Sequence, residues 1–264
     1  MSALLQQHNR EILDQFTRQA KPFSDAPAHS AEDTLRIFLE AAEVNRDDEA
    51  LDVACGPGII SCALAGVARR VTGIDLVPAM IEQARDRQRA KGLANIEWRT
   101  GDAAHLPFAD NSFSLVATRY SFHHLMEPER VLREMARVCR SGGRIVVADV
   151  TPEASKAAAY DEIEKLRDPS HTHALPLEEL AALGAGVGFA PGITVCFRLE
   201  SAMEALLAAS FPPEGNADRI RRLVRADIGV NRLGIGAFEK NEEVYYSFPT
   251  TVMVWQKRVS APGQ

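Results

Sequence analysis

Residues 51–58, Leu-Asp-Val-Ala-Cys-Gly-Pro-Gly, form a short apolar run that ends in a glycine turn, and this junction constrains the fold more than any other stretch. Such a run reads as a strand buried on both faces, and glycine lets the following backbone turn sharply and approach a ligand. A second apolar run, Val71-Thr-Gly-Ile-Asp75, ends in a carboxylate about twenty residues on, the spacing at which a carboxylate can accept hydrogen bonds from ribose hydroxyls. Together they describe a nucleotide pocket on an α/β sheet. The dinucleotide fingerprint is incomplete, because Ser61 stands where its third glycine belongs.

From residue 50 the pattern repeats strand, turn and helix. Strands are predicted near 50–54, 70–75, 95–100, 113–118 and 143–149, with helices near 58–66, 78–91 and 128–139. That alternation predicts a parallel sheet covered on both faces. Upstream, Leu5, Ile12, Leu13 and Phe16 share one face of a helix over 3–20, which Pro22 and Pro27 interrupt; a second helix is predicted over 31–43. Gly142-Gly143 stops the Val131–Cys139 helix. Beyond 150 the rhythm changes: a polar stretch over 151–175, a helix over 176–185, a strand near 192–199, and helix over 201–228 broken at Phe211-Pro-Pro213. In the closing strand, Val244–Trp255, Pro249 marks an edge, a bulge or the true start.

A chain of 264 residues can bury a substantial core, and its net charge of −6 argues against a general nucleic-acid binder. The locally basic Arg219–Arg225 segment reads as a solvated helix face, with an anion contact as the alternative. Cys55, Cys62, Cys139 and Cys196 show no metal-ligand spacing and read as reduced, buried cytosolic thiols, Cys55 packing rather than attacking. The first ten residues lack the apolar core of a signal peptide, and no apolar run approaches the ~20 residues needed to span a bilayer. A soluble, cytoplasmic protein is expected.

Four stretches in order, Asp52–Gly58, Asp75, Gly101-Asp102 with Leu106-Pro107-Phe108, and Phe122-His123-His124-Leu125, resemble the motifs of class I S-adenosylmethionine-dependent methyltransferases. The closest subgroup is the small-molecule enzymes related to ubiquinone/menaquinone-biosynthesis methyltransferases, and the resemblance covers roughly residues 30–150. It implies an α/β, Rossmann-like, seven-stranded, mostly parallel sheet with an antiparallel last strand, helices on both faces and helical lid insertions. Residues 1–45 would be N-terminal lid helices and 46–150 the cofactor-binding core. Residues 151–264 would complete that core, with lid insertions near 151–175 and 200–243.

The resemblance also assigns roles. S-adenosylmethionine would be the cofactor and S-adenosylhomocysteine the product, with no metal. Asp52, Ala54, Gly56 and Gly58 would form the cofactor turn, Gly58 passing close to the methionine portion. Asp75 would hold the ribose diol, Leu76 and Met80 flank the adenine or simply pack, Gly101, Asp102 and Ala103 contact the adenine edge, and Arg119 line the cofactor or make a structural ion pair. His123 and His124 would lie near the methyl group, as a general base or as scaffold. His171 and His173 would contact substrate or face solvent. Phe16 and Phe23 close over the cofactor or pack on the core, and only one of Tyr245 and Tyr246 should face a pocket. Phe189, Phe197, Phe211 and Phe238 lean the reading toward an aromatic or apolar acceptor.

The partner would be a small-molecule methyl acceptor, with no nucleic acid and no membrane insertion; a homodimer is left open. Two other readings stand beside this one. One is a non-catalytic protein that keeps S-adenosylmethionine or S-adenosylhomocysteine bound. The other is an NAD(P)-dependent oxidoreductase, disfavoured by the missing glycine and the lack of a Tyr-x-x-x-Lys pair.

Overall fold

The computed structural model describes residues 3–25, 32–189 and 192–258. Among them, one sheet contains β1 (Glu49–Val53), β2 (Arg70–Asp75), β3 (Ile96–Thr100), β4 (Phe113–Arg119), β5 (Cys139–Val150), β6 (Ile193–Ala202), β7 (Phe238–Lys240) and β8 (Glu243–Gln256). The order across it is β3-β2-β1-β4-β5-β8-β6. The first five strands pair in parallel, and β8 runs antiparallel to both β5 and β6. The sheet is thus the anticipated one plus an eighth strand: β7, three residues long, pairs with β8 off the main path. A strand that short carries no readable periodicity.

The helices are α1 (Ala3–Asp25), α2 (Glu32–Ala41), α3 (Ile59–Ala65), α4 (Pro78–Ala90), α5 (Pro128–Val138), α6 (Ala157–Arg167), α7 (Leu177–Gly186), α8 (Met203–Ser210) and α9 (Asn216–Asp227). Side chains of β1 serve two layers. Leu51 and Val53 pack with Leu132 and Met135 of α5 and Leu180 of α7, whereas Ala50 packs with Phe38 of α2 and Ile60 and Leu64 of α3. Burial on both faces is why the strands read as unbroken apolar runs, each large side chain contributing roughly 1.5–3 kcal/mol. A further core forms beyond the carboxyl end of β5. There Val150 meets Tyr160 and Ile163 of α6, Met203 and Leu207 of α8, Ile220 and Val224 of α9, and Tyr246 and Phe248 of β8.

Two prolines depart from the sequence reading. Pro22 does not end α1, which continues to Asp25. Proline costs an interior hydrogen bond, but here it falls in the last turns, and Arg87 of α4 secures the helix end by donating to Ser24 O at 2.6 Å and Ser24 Oγ at 2.9 Å. Pro27 lies outside the described residues. Pro249 sits inside β8, opposite Arg198 of β6, one residue past the end of the β5 ladder at Val150↔Thr250. On that side its missing N–H faces no strand.

The apolar face expected of α1 is also only half its story. Its buried members include His8, Gln15 and Gln19. His8 Nε2 donates to His124 O at 2.7 Å, Gln15 to Ser210 O at 2.6 Å, and Gln19 to Ser210 O at 3.1 Å and Asp168 at 3.2 Å. Buried polar groups need partners, and here they tie α1 across the ends of the central strands. Cys196 corrects another expectation: it is exposed on β6, unlike the buried Cys55, Cys62 and Cys139.

Candidate active site

A cleft opens where β1, β2 and β4 end, lined by Asp52, Ala54, Gly56, Asp75, Leu76, Met80, Gly101, Asp102, Ala103 and Arg119. The turn after β1 is wound left-handed, with φ of 53° at Ala54, 52° at Gly56 and 74° at Gly58. Alanine in that region costs of order 1 kcal/mol, and such strain concentrates where a loop must present its backbone to a ligand. Open space surrounds the place a Gly56 side chain would occupy, whereas a Cβ at Gly58 would come 2.6 Å from Trp98 and 2.9 Å from Ala84. Gly58 is therefore a packing glycine at the start of α3 and does not line the cleft, unlike its sequence-based assignment.

Asp75 accepts from Gly56 N at 2.7 Å and Val77 N at 2.9 Å, one backbone N–H on each oxygen. Burial raises this carboxyl to about 6 despite those donors. The carboxylate lines the cleft, and a carboxylate has about four acceptor sites in all, more than these two donors use. Asp52 is buried more deeply, and desolvation pushes it up to about 7. Ser61 Oγ donates to it at 2.6 Å, so the residue in place of the third glycine is the partner of this carboxyl. Asp102 is half-buried and accepts from Ala104 N at 2.8 Å. Burial also raises the Cys55 thiol well above its ordinary value, in keeping with a packing role.

A second cavity, about 600 Å³, adjoins the cleft. Phe16, Phe23, Tyr120 and His124 line both and form the partition between them. His123 and His124 lie in a single 3-10 turn, Phe122–His124, that comes directly after β4. The structure separates the two rings. His123 Nδ1 lies 2.6 Å from Asp149 Oδ1 at the end of β5, leaving Nε2 as the ring nitrogen available in the chamber. Burial alone would lower the His123 pKa, but the Asp149 carboxylate outweighs it and raises it. His124 Nδ1 donates to Ser170 O at 3.1 Å, and Phe16 meets its ring edge-on at 4.9 Å. Burial, with His123 beside it, drops His124 to about 3, so it stays neutral.

His171 and His173 line neither cavity. His171 Nε2 and His173 Nδ1 grip the two oxygens of Asp161 in α6, at 2.7 and 2.6 Å. Their sequence-based role as substrate contacts gives way to an internal clamp, which spacing alone does not disclose. The phenylalanines expected in a lid are elsewhere too: Phe189 stacks on Trp255 in the core, Phe238 stacks on Tyr245, and Phe211 is exposed. Aromatic lining comes instead from Phe16, Phe23 and Phe248, and Tyr245 faces the chamber while Tyr246 is buried. Arg221 of the basic segment is paired at the surface with Glu204 and Asp218.

Sequence reasoning missed Asp149, Glu164, Arg167 and Asp168. Asp149 alone had a signal, as a carboxylate ending an apolar strand at the edge where ligands bind.

Comparison with known proteins agrees with this geometry. Residues 51–147 match a family described as a methyltransferase domain. The chain is 29% identical over 170 residues to the uncharacterized methyltransferase YcgJ of Bacillus subtilis, covering 64% of this chain and 67% of that one. It is 32% identical over 161 residues to the uncharacterized protein YafE of Escherichia coli, covering 59% and 78% respectively. The ubiquinone/menaquinone biosynthesis C-methyltransferase UbiE of Roseobacter denitrificans is 38% identical over 117 residues, where the chain spans 46% of its length. The crystal structure of YcgJ superposes with a TM-score of 0.78 at 22% identity, over 86% of this chain and 99% of that one. The NAD(P)-dependent reading falls away, and the chain belongs to the class I S-adenosylmethionine-dependent methyltransferases.

Proposed function

We propose that the protein methylates a small, largely apolar acceptor, held in the chamber and activated by His123. The observation that carries this reading is the shared wall: a nucleotide-type cleft and an apolar chamber meet at Phe16, Phe23, Tyr120 and His124. S-adenosylmethionine, when bound, supplies a sulfonium methyl group to a nucleophilic oxygen, nitrogen or carbon. The residues of the cleft fit it: the spare acceptor sites of Asp75 suit the ribose diol, Leu76 and Met80 the faces of adenine, and Asp102 and Ala103 its polar edge. The Gly56 turn and Arg119 would hold the methionine end.

His123 takes the acceptor's proton at Nε2 while Asp149 fixes the ring through Nδ1 and stabilises the charge that develops. His124, neutral and braced by Ser170 and Phe16, shapes the wall. α1 excludes water by spanning the strand ends, and together with the segments over 151–175 and 200–243 it forms a lid. Alignment of this kind is worth on the order of 7–11 kcal/mol of barrier, and a base a further 10²–10⁴-fold.

Release of S-adenosylhomocysteine from S-adenosylmethionine in the presence of a panel of phenols, enols and amines tests the proposal. Acceptor-dependent release supports it. Tight binding with no turnover on any acceptor would favour the alternative, a protein that keeps the ligand without using it.

A further inference from the structure

The chamber's buried charges restrict what can enter it. Arg167 is the only lysine or arginine among its described lining residues. Each of its three nitrogens is already engaged: Nε and Nη2 point at Glu164, and Nη1 donates to Ser210 Oγ at 2.7 Å. Asp168, next in the chain, adds a second buried carboxylate, held by Ser170 N at 2.9 Å, Ser170 Oγ at 2.6 Å and Gln19 Nε2 at 3.2 Å. Glu164 and Asp168 are 3% and 2% exposed, so solvent does little to screen them. The other two acidic lining residues, Asp25 and Glu200, are at the exposed rim, each with a surface lysine beside it.

Inside, then, two carboxylates face one guanidinium. His123 brings no surplus of positive charge, because Asp149 lies directly behind it. An entering anion would be a third negative charge beside these two carboxylates, in a setting where an uncompensated charge is expensive. An uncharged apolar body meets Phe16, Leu199, Leu206 and Phe248, and an ammonium group meets the excess carboxylate.

We propose that the chamber admits apolar acceptors that are uncharged or carry a basic amine, and turns away carboxylates and phosphate esters. This rests on reading the chamber as the acceptor site. It names the acceptor class by charge, which leaves alcohols, phenols and amines in and acyl anions and phosphorylated metabolites out.

The test uses the whole protein saturated with S-adenosylhomocysteine and calorimetric titration with four probes of one scaffold: naphthylmethylamine, naphthalenemethanol, naphthoate and naphthyl phosphate. The amine and alcohol should bind at least about ten-fold tighter than either anion. Glu164→Gln, which neutralises one buried carboxylate, should narrow that gap by about three-fold or more. Anions that bind as tightly as the alcohol, or four probes that all fail to bind, would overturn the proposal. So would a folded Glu164→Gln protein with an unchanged gap; if that variant does not fold, the wild-type order decides alone. Repeating the series without S-adenosylhomocysteine separates the two readings. A protein that keeps the charge order yet never binds S-adenosylhomocysteine supports the chamber's preference and refutes the cofactor assignment.

Discussion

His123 Nδ1 lies 2.6 Å from Asp149 Oδ1, joining the turn after β4 to the end of β5. The contact fixes which ring nitrogen serves the chamber and strengthens it as a base. Because the Asp149 carboxylate raises the His123 pKa above its ordinary 6.5, the ring holds its proton at slightly acid pH and cannot accept another. We therefore predict that kcat/KM rises with pH through a value above 6.5 and then levels off. His123→Gln should lower kcat by about 10²–10⁴-fold and flatten the profile above pH 6.5, leaving only the more acid limb set by Asp75. His124→Gln should leave the shape of the profile unchanged. A His123→Gln enzyme with the wild-type pH dependence would remove the base.

The same pair predicts a stability trend. A histidine whose folded pKa is raised stabilises fully below its unfolded pKa, and that contribution fades as pH rises through the folded value. His123→Gln should thus be most destabilising near pH 6 and less so at pH 9, as read from urea midpoints. The opposite ordering would show that the ring is buried neutral.

Gly58 gives a purely structural prediction. With φ of +74° and Trp98 2.6 Å from its would-be Cβ, Gly58→Ala combines left-handed strain with overpacking. A loss of about 2–4 kcal/mol in unfolding free energy is expected. A loss under about 1 kcal/mol would mean that the turn relaxes freely.

Asp161 separates clamp from substrate contact. Asp161→Ala leaves the buried His171 without its 2.7 Å partner and should cost about 1–3 kcal/mol of stability. Turnover per folded molecule should stay within a few-fold. His173 is half-exposed, so His173→Ala should cost well under half as much. A selective rise in acceptor KM in either variant would restore the substrate role.

How much was legible in the sequence depends on how local each feature is. The turn at Asp52–Gly58 and the carboxylate of Asp75 are written in contiguous residues, and both line the cleft. Gly58 shares the motif yet faces Trp98, forty residues away in the chain, so its different task is invisible without the fold. The His123-His124 dipeptide is plain in the sequence, but only tertiary structure, through Asp149 on one ring and burial of the other, raises the first pKa and lowers the second. The chamber walls are harder still, since Glu164 and Arg167 on α6 meet Ser210 on α8, and both helices carry ordinary helical patterns. β7 is too short to announce itself, and Pro249 misleads because the ladder it would break has already ended.

The central claim is that Asp75 and the Gly56 turn hold the nucleoside of S-adenosylmethionine. Its most direct test is calorimetric titration of the wild type and Asp75→Ala with S-adenosylhomocysteine, run at pH 5 and pH 8. Since burial holds the Asp75 carboxyl near 6, protonation should remove an acceptor and weaken wild-type binding at the lower pH. The account predicts micromolar binding by the wild type at pH 8, weaker binding at pH 5, and a loss of about a hundred-fold or more in Asp75→Ala at pH 8. Equal affinity in the two proteins, or no binding by folded wild type, would contradict it.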